Sequence, residues 1–263
     1  MRHSEGTLEW FFEDRRFRAW RDDERCEMPP ILWCQGEIGT GKTILVSQVL
    51  EHLLARHVPK GTLAVVYCRL DEQRSQSAGC ILGLVLAQLF QNDNMGFDIP
   101  PVVVNAFKSR PSFWSRKPTS SQLEDWLSTR ILEGGTPAYI QIDALDELQR
   151  LSRRRLLRVL DSLALRRHRF RLLVTSRHAP ECVSDMFSGE PLNIHAQATD
   201  LRTFVDVQLL EDCTDRFRQL ILGPARDPSF TSVKEEISVE IVRAARSMYA
   251  CVCAILPCDP WGC

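Results

Sequence analysis

The residues that constrain this chain most are Gly36-Glu37-Ile38-Gly39-Thr40-Gly41-Lys42-Thr43, which fit G-x-x-x-x-G-K-[ST] and directly follow the apolar run Pro30-Ile31-Leu32-Trp33-Cys34. The run reads as a short buried strand, and Lys42 to Leu54 beyond the loop spaces its apolar residues as a helix does. Strand, glycine-rich turn and helix in that order make a loop that cradles phosphate. Gly36, Gly39 and Gly41 allow backbone angles closed to other residues, so successive N–H groups around Thr40 can turn inward toward a phosphate chain. The positive end of the following helix adds its field. Lys42 is placed to reach the β and γ phosphates as a mobile charge, and the Thr43 hydroxyl to ligate the Mg²⁺ that shields them. A turn with no ligand would leave a lysine and a threonine at the head of a buried helix without a reason.

The remaining pattern alternates strands and helices. Apolar runs at Thr62 to Cys68, Ala138 to Ile142, Phe170 to Thr175 and Leu192 to His195 join the first strand to give five. Between them, helical spacing runs from Ser77 or Gln76 through Leu89, from a cap at Ser121, and from Ser152 to Leu165, and helical patterns return at Leu201 to Glu211 and Val233 to Arg246. Asn92 to Pro101 and Ser109 to Ser121 read as loops around one short helical piece. Such alternation predicts an α/β fold, a parallel sheet with helices on both faces. The boundaries follow: an amphipathic lead-in at 1–29, a core at 30–197, a truncated helical segment at 198–250 and a cysteine-rich irregular tail at 251–263. In the lead-in, Trp10, Phe17 and Trp20 lie close to helical spacing, which fits one short helix packed on the domain. A part in holding a nucleotide base is the sharper reading of the same aromatics.

Two further groups stand at strand ends, where ligands of such sheets collect. The third strand runs into Asp143-Ala144-Leu145-Asp146-Glu147, and an acid fixed there can face a metal opposite the phosphate loop. Asp143 takes that role, with Thr43, in the Mg²⁺ site. Asp146 or Glu147, one turn on, could orient or deprotonate an attacking water, and the longer Glu147 is the better placed. Arg177 ends the next strand, within reach of a terminal phosphate.

The net charge of −1 argues against a surface built wholly for nucleic acid. The longest strongly apolar stretch, Ile81 to Phe90, is too short to span a bilayer, and the charged start lacks a signal peptide's apolar core, so no membrane and a cytoplasmic location are expected. Of ten cysteines, Cys26, Cys34, Cys68, Cys80, Cys182 and Cys213 are scattered and read as small buried hydrophobes. The final four, Cys251, Cys253, Cys258 and Cys263, do not have a usual zinc spacing. The arginines between Ser152 and Leu165 read as a solvated helix face.

Together the motifs resemble the NACHT class of P-loop NTPases among signal-transducing STAND proteins, nearest to the nephrocystin-3-like N-terminal domain of fungal multidomain proteins. The likeness rests on Leu32 to Thr43, Val66-Tyr67-Cys68, Leu86-Ala87-Gln88-Leu89, Ile142 to Glu147 and Leu173-Val174-Thr175-Ser176-Arg177, and runs from about Gly6 to about Leu210. It implies strand order 5-1-4-3-2 and a switch operated by ATP or GTP with Mg²⁺, closed with diphosphate, self-associating with triphosphate and reset by slow hydrolysis. Members usually carry an effector segment, a winged helix and C-terminal repeats, and none of these is expected at full length within the 263 residues. The competing expectation is a nucleotide-binding or scaffold fragment without turnover. A small-molecule kinase is weaker, because a phosphate-binding lid would have only Arg110 and Arg116.

Overall fold

Two of the strands carry apolar residues on both of their faces because both faces are covered. In the computed structural model, β3 (Ala138–Asp143) and β4 (Phe170–Ser176) are buried throughout, as inner strands of a parallel sheet must be. The structure describes residues 7–22, 30–56, 62–72, 76–91, 99, 101–108, 118–133, 137–164, 170–178, 190–211, 228–245 and 248. With β1 (Ile31–Gln35), β2 (Leu63–Tyr67) and β5 (Leu192–Asn193), they form a five-stranded sheet in the order β2-β3-β4-β1-β5, every pairing parallel. Read from the other edge this is the expected 5-1-4-3-2.

β5 has two residues where four were expected. It pairs only with the tail of β1, Cys34 opposite Leu192 and Gln35 opposite Asn193, because β1 turns away at Gly36 into the loop. The other edge is managed differently. Gln88, in α4 (Ala78–Leu89), accepts from the Val65 N–H and donates to the Val65 carbonyl, both at 2.9 Å. Its amide stands in for a missing neighbour strand and blunts the exposed edge of β2.

The sheet separates two cores. On one face α4, α6 (Ser120–Glu133) and α7 (Arg150–Ala164) bury Leu82, Leu127 and Leu160 against Ile140, Ile142 and Leu172. α5 (Pro101–Lys108), the short helical piece expected between loops, begins with proline, whose missing N–H costs nothing at a helix start. Ser77 caps α4 by accepting from the Cys80 N–H. The cap of α6 is Thr119 rather than the expected Ser121. Its hydroxyl accepts from the Gln122 N–H and the Gln122 side chain accepts from the Thr119 N–H, while Glu124 accepts from Ser162 of α7.

On the other face lie α3 (Lys42–Ala55) and the lead-in, which bury Phe11, Phe17, Trp20, Leu45, Val49 and Leu53 against Leu32, Tyr139 and Leu173. The lead-in is two helices, α1 (Glu9–Glu13) and α2 (Arg15–Asp22), where spacing predicted one. Asp14 divides them, its carboxylate accepting from the Arg16 N–H at 2.7 Å. Trp20 donates its indole N–H to the Leu172 carbonyl. On this face of β3, Gln141 is fully buried and its amide has no hydrogen-bond partner among the described residues. Past β5, α8 (Ala198–Glu211) packs against α9 (Pro228–Ala245).

Cys34 and Cys68 are buried, as expected; burial pushes both thiols up, Cys68 to about 12. Cys80 is exposed. Cys26, Cys182, Cys213, Arg110, Arg116 and the tail 251–263 lie outside the described residues.

Candidate functional site

The loop between β1 and α3 leaves its helix start open. Gly41 precedes α3 with no side-chain cap, and the first turn holds no acid, so the leading N–H groups lack the partners that would satisfy them inside the protein. An anion is the natural complement of such an end. Gly39 and Gly41 have φ of 78° and 91°, angles that favour glycine. Gly36 is needed for a different reason than expected. Its backbone angle is ordinary, but a Cβ there would stand 2.5 Å from the Ile194 carbonyl oxygen and 2.7 Å from Thr40 Oγ1. Thr40, buried, donates its hydroxyl to the Glu37 carbonyl at 2.9 Å and pins the loop.

Lys42 folds back over this loop. Its Nζ donates to the carbonyls of Gly36 and Glu37, each at 2.7 Å. Burial holds the ammonium below the ordinary lysine value, against the pull of Asp146 and Asp143. Thr43, the second residue of α3, donates to Asp143 Oδ2 at 2.7 Å. Asp143 Oδ1 accepts from Thr175 Oγ1 at 2.5 Å, and that hydroxyl accepts in turn from the Ala144 N–H at 2.8 Å. The three side chains form one continuous chain across the ends of α3, β3 and β4. Asp143 is 3% exposed; burial raises its carboxyl above the usual range, and the bonds from Thr175 and Thr43 work against the rise.

Ala144 then takes the left-handed conformation, φ 51°, and the chain enters a single 3₁₀ turn, Leu145–Glu147. The turn points its two acids in different directions. Asp146 Oδ2 accepts from Arg177 Nε at 2.5 Å and Oδ1 from the Arg177 backbone N–H at 3.2 Å. This bond raises the guanidinium's pKa further. Glu147 Oε2 accepts from the Leu70 N–H, just beyond β2, at 2.9 Å. The residues expected at the site, Gly36 to Thr43, Asp143, Asp146, Glu147 and Arg177, thus gather at one end of the sheet. Two of them, Asp146 and Arg177, neutralise each other.

Thr43 and Asp143 fit a Mg²⁺ ion. Mg²⁺ characteristically takes one or two protein oxygens and completes its shell with water and substrate phosphates, and a hydroxyl beside a fixed carboxylate is that donor set. Among the described residues no group of three or more His, Cys, Asp or Glu side chains forms an all-protein metal cage.

Sequence reasoning did not single out Thr175, Ser176 or the wall beyond β5. Thr175 and Ser176 are fully buried polar residues at the end of an apolar strand, which is the signal that could have found them. Ser176 accepts from the Trp33 indole N–H at 2.8 Å and donates to the His178 carbonyl. Beyond β5, a cavity of about 370 Å³ lies between the loop residues Gly36, Glu37 and Thr40 with Arg177 on one side, and Asn193, Ile194, His195 and Met248 on the other.

The family model described as Nephrocystin 3, N-terminal matches residues 6–177. The vegetative incompatibility protein HET-E-1 of Podospora anserina is 28% identical over 148 residues, which are 52% of this chain and 10% of that protein. Among solved structures, a chain of Drosophila ORC bound to DNA superposes with a TM-score of 0.51 at 14% identity, over 95% of this chain and 60% of that one. That likeness concerns the fold. The chain spans about a tenth of the length of the curated relative it matches.

Proposed function

The chain belongs to the nephrocystin-3 N-terminal family, a P-loop nucleotide-binding module of the NACHT type, and from that premise we propose that it binds ATP or GTP with Mg²⁺ and hydrolyses it slowly, as the switch of a larger signalling protein. The observation that carries this reading is the hydrogen-bonded chain Thr43, Asp143, Thr175 beside the uncapped start of α3. A hydroxyl and a carboxylate suited to Mg²⁺ are thereby fixed next to an open helix start suited to phosphate.

In this mechanism the N–H groups of the loop and of the first turn of α3 receive the phosphate oxygens. Lys42 exchanges its two carbonyl partners for the β and γ phosphates, a short move for a flexible stem. Thr43 and Asp143 would hold Mg²⁺, which when bound would supply neutralisation of phosphate charge. Arg177 leaves Asp146 for the γ-phosphate, where charge develops. Glu147, released from the Leu70 N–H, accepts the proton of the attacking water. Triphosphate binding would thereby redistribute Arg177, Asp146 and Glu147 together, which suits a switch that self-associates in the triphosphate state. Among the described residues no helix is long and apolar enough to cross a membrane.

A second reading is favoured by one observation. Both candidate acids are already engaged, Asp146 with Arg177 and Glu147 with Leu70, as in a module that binds nucleotide without turning it over. Purified protein with labelled ATP and GTP, with and without Mg²⁺, separates the two. Mg²⁺-dependent binding followed by product in a single turnover supports the hydrolysing switch; binding with no product supports the second reading; no binding of either nucleotide removes both.

A further inference from the structure

The wall of the cavity beyond β5 is built to a pattern. Leu192 and Ile194 are buried while Asn193 and His195 are exposed, an alternation that begins in β5 and continues in the extended residues after it, and both Asn193 and His195 line the cavity. The imidazole is held. Trp10 of α1 stacks on it with ring centroids 5.6 Å apart and planes 25° apart, and the Trp10 indole N–H donates to Asp200 Oδ2 at 3.1 Å. Asp200 is itself buried in the first turn of α8. Two stretches far apart in sequence, α1 and the residues from His195 to Asp200, therefore converge to fix one aromatic ring at the edge of a hollow whose other wall is the phosphate loop.

The hollow has the size of a small-molecule site, about 370 Å³. An immobilised aromatic ring offers a π-face to a planar base at little further entropic cost. Asn193 carries both a donor and an acceptor for the edge of such a base. Resting on the nucleotide-binding reading above, we propose that this cavity takes the purine base and ribose, with His195 as the base-contacting residue and Trp10 as the positioning residue that holds the imidazole through its stack and its bond to Asp200. The smaller ring of a pyrimidine overlaps the imidazole less, so the site prefers purines. The lead-in helix α1 thereby becomes part of the nucleotide site without touching a phosphate.

The test uses the full chain with Mg²⁺ and four ligands, ATP, GTP, CTP and inorganic tripolyphosphate, the last carrying the phosphates without a base. His195→Ala is expected to weaken ATP and GTP by about tenfold, the scale of one lost base-stacking partner, to leave tripolyphosphate unchanged, and to erase the preference over CTP. Trp10→Ala is expected to produce part of the same loss, and Trp10→Phe, which keeps a ring for the stack, to restore most of it. Unchanged ATP and GTP affinity in His195→Ala overturns the proposal, as does an equal loss for tripolyphosphate. If the parent binds tripolyphosphate but no nucleotide more tightly, the base site fails while the phosphate loop stands. If it binds none of the four, the nucleotide reading fails first and takes this one with it.

Discussion

Replacing Thr175 by valine keeps the branched shape of the side chain and removes one oxygen. That oxygen, fully buried, donates to Asp143 Oδ1 at 2.5 Å and accepts from the Ala144 N–H at 2.8 Å. A hydrogen bond to a charged acceptor contributes about 1.5–3 kcal/mol, and a buried N–H left without a partner costs about 1–3 kcal/mol. Thr43 still bonds the other carboxylate oxygen, so the expected loss lies near the low end of the sum, about 3 kcal/mol. At about 2–4 °C per kcal/mol for a domain of this size, the melting midpoint falls by about 6–12 °C. The same bond is the largest influence opposing the burial that raises Asp143's carboxyl, so the variant's carboxyl rises further. The sign of the pH effect follows. A carboxyl whose folded value lies above its unfolded one makes ionised Asp143 a cost at neutral pH, and the cost fades as pH falls through the folded value toward the unfolded one. The deficit of Thr175→Val against the parent is therefore largest near neutrality and shrinks in acid. Mg²⁺-nucleotide binding, which needs the carboxylate, weakens in acid at a higher pH in the variant than in the parent. Thermal melts of the parent, Thr175→Val and Thr175→Ser at about pH 7.5 and pH 5 check this, the serine being expected to keep most of the stability. A valine variant that melts within about 1 °C of the parent, or with a deficit independent of pH, refutes the reasoning.

Lys42→Ala is expected to lower triphosphate affinity by about a hundredfold or more with an unshifted melting midpoint, since the ammonium bonds only loop carbonyls; isothermal titration beside a thermal melt measures both. Asp143→Asn keeps one acceptor oxygen, for Thr43 or Thr175 but not for both, and is a poor ligand for a hard cation, so nucleotide binding should persist with a weaker dependence on Mg²⁺, and superimposable metal titrations would remove Asp143 from the metal site. Glu147→Gln should slow single-turnover hydrolysis by about a hundredfold with affinity within a few fold; a normal rate there with a collapsed rate in Asp146→Asn would move the base to Asp146. Gln141→Met replaces a buried amide that has no partner among the described residues with an apolar chain of similar length, and should stabilise the domain by about 1–3 kcal/mol, read as a raised melting midpoint.

The parts legible in the sequence are those where chemistry leaves few residues to choose from. Lysine, threonine and glycine at fixed spacing after a strand announce a phosphate loop, and an acid closing a mostly apolar strand marks Asp143. The order of strands came from the family likeness, because a pattern of apolar runs carries no record of which run lies beside which. What stayed hidden depends on neighbours brought together by folding. Asp146 and Arg177 are 31 residues apart, and nothing local says that each occupies the other. Gly36 looked like a glycine needed for its backbone angle, but Ile194 stands against it from across the sheet. At α6, polar residues two positions apart compete for the cap, and the choice of Thr119 over Ser121 turns on the reciprocal bond with Gln122.

The Trp20 indole that bonds the Leu172 carbonyl waits for a partner 152 residues further along the chain. At about 5–20 residues per second of synthesis, that interval is about 8–30 s on the ribosome. During it Phe11, Phe17 and Trp20, all buried in the finished fold, have no β4 to cover. β1 is in the same position, since its inner neighbour is also β4. Helices α1 and α2 are therefore made early and placed late, and the nascent chain carries an aromatic cluster that chaperones can hold. Folding yield in cells will depend on that interval as well as on the packing it finally produces.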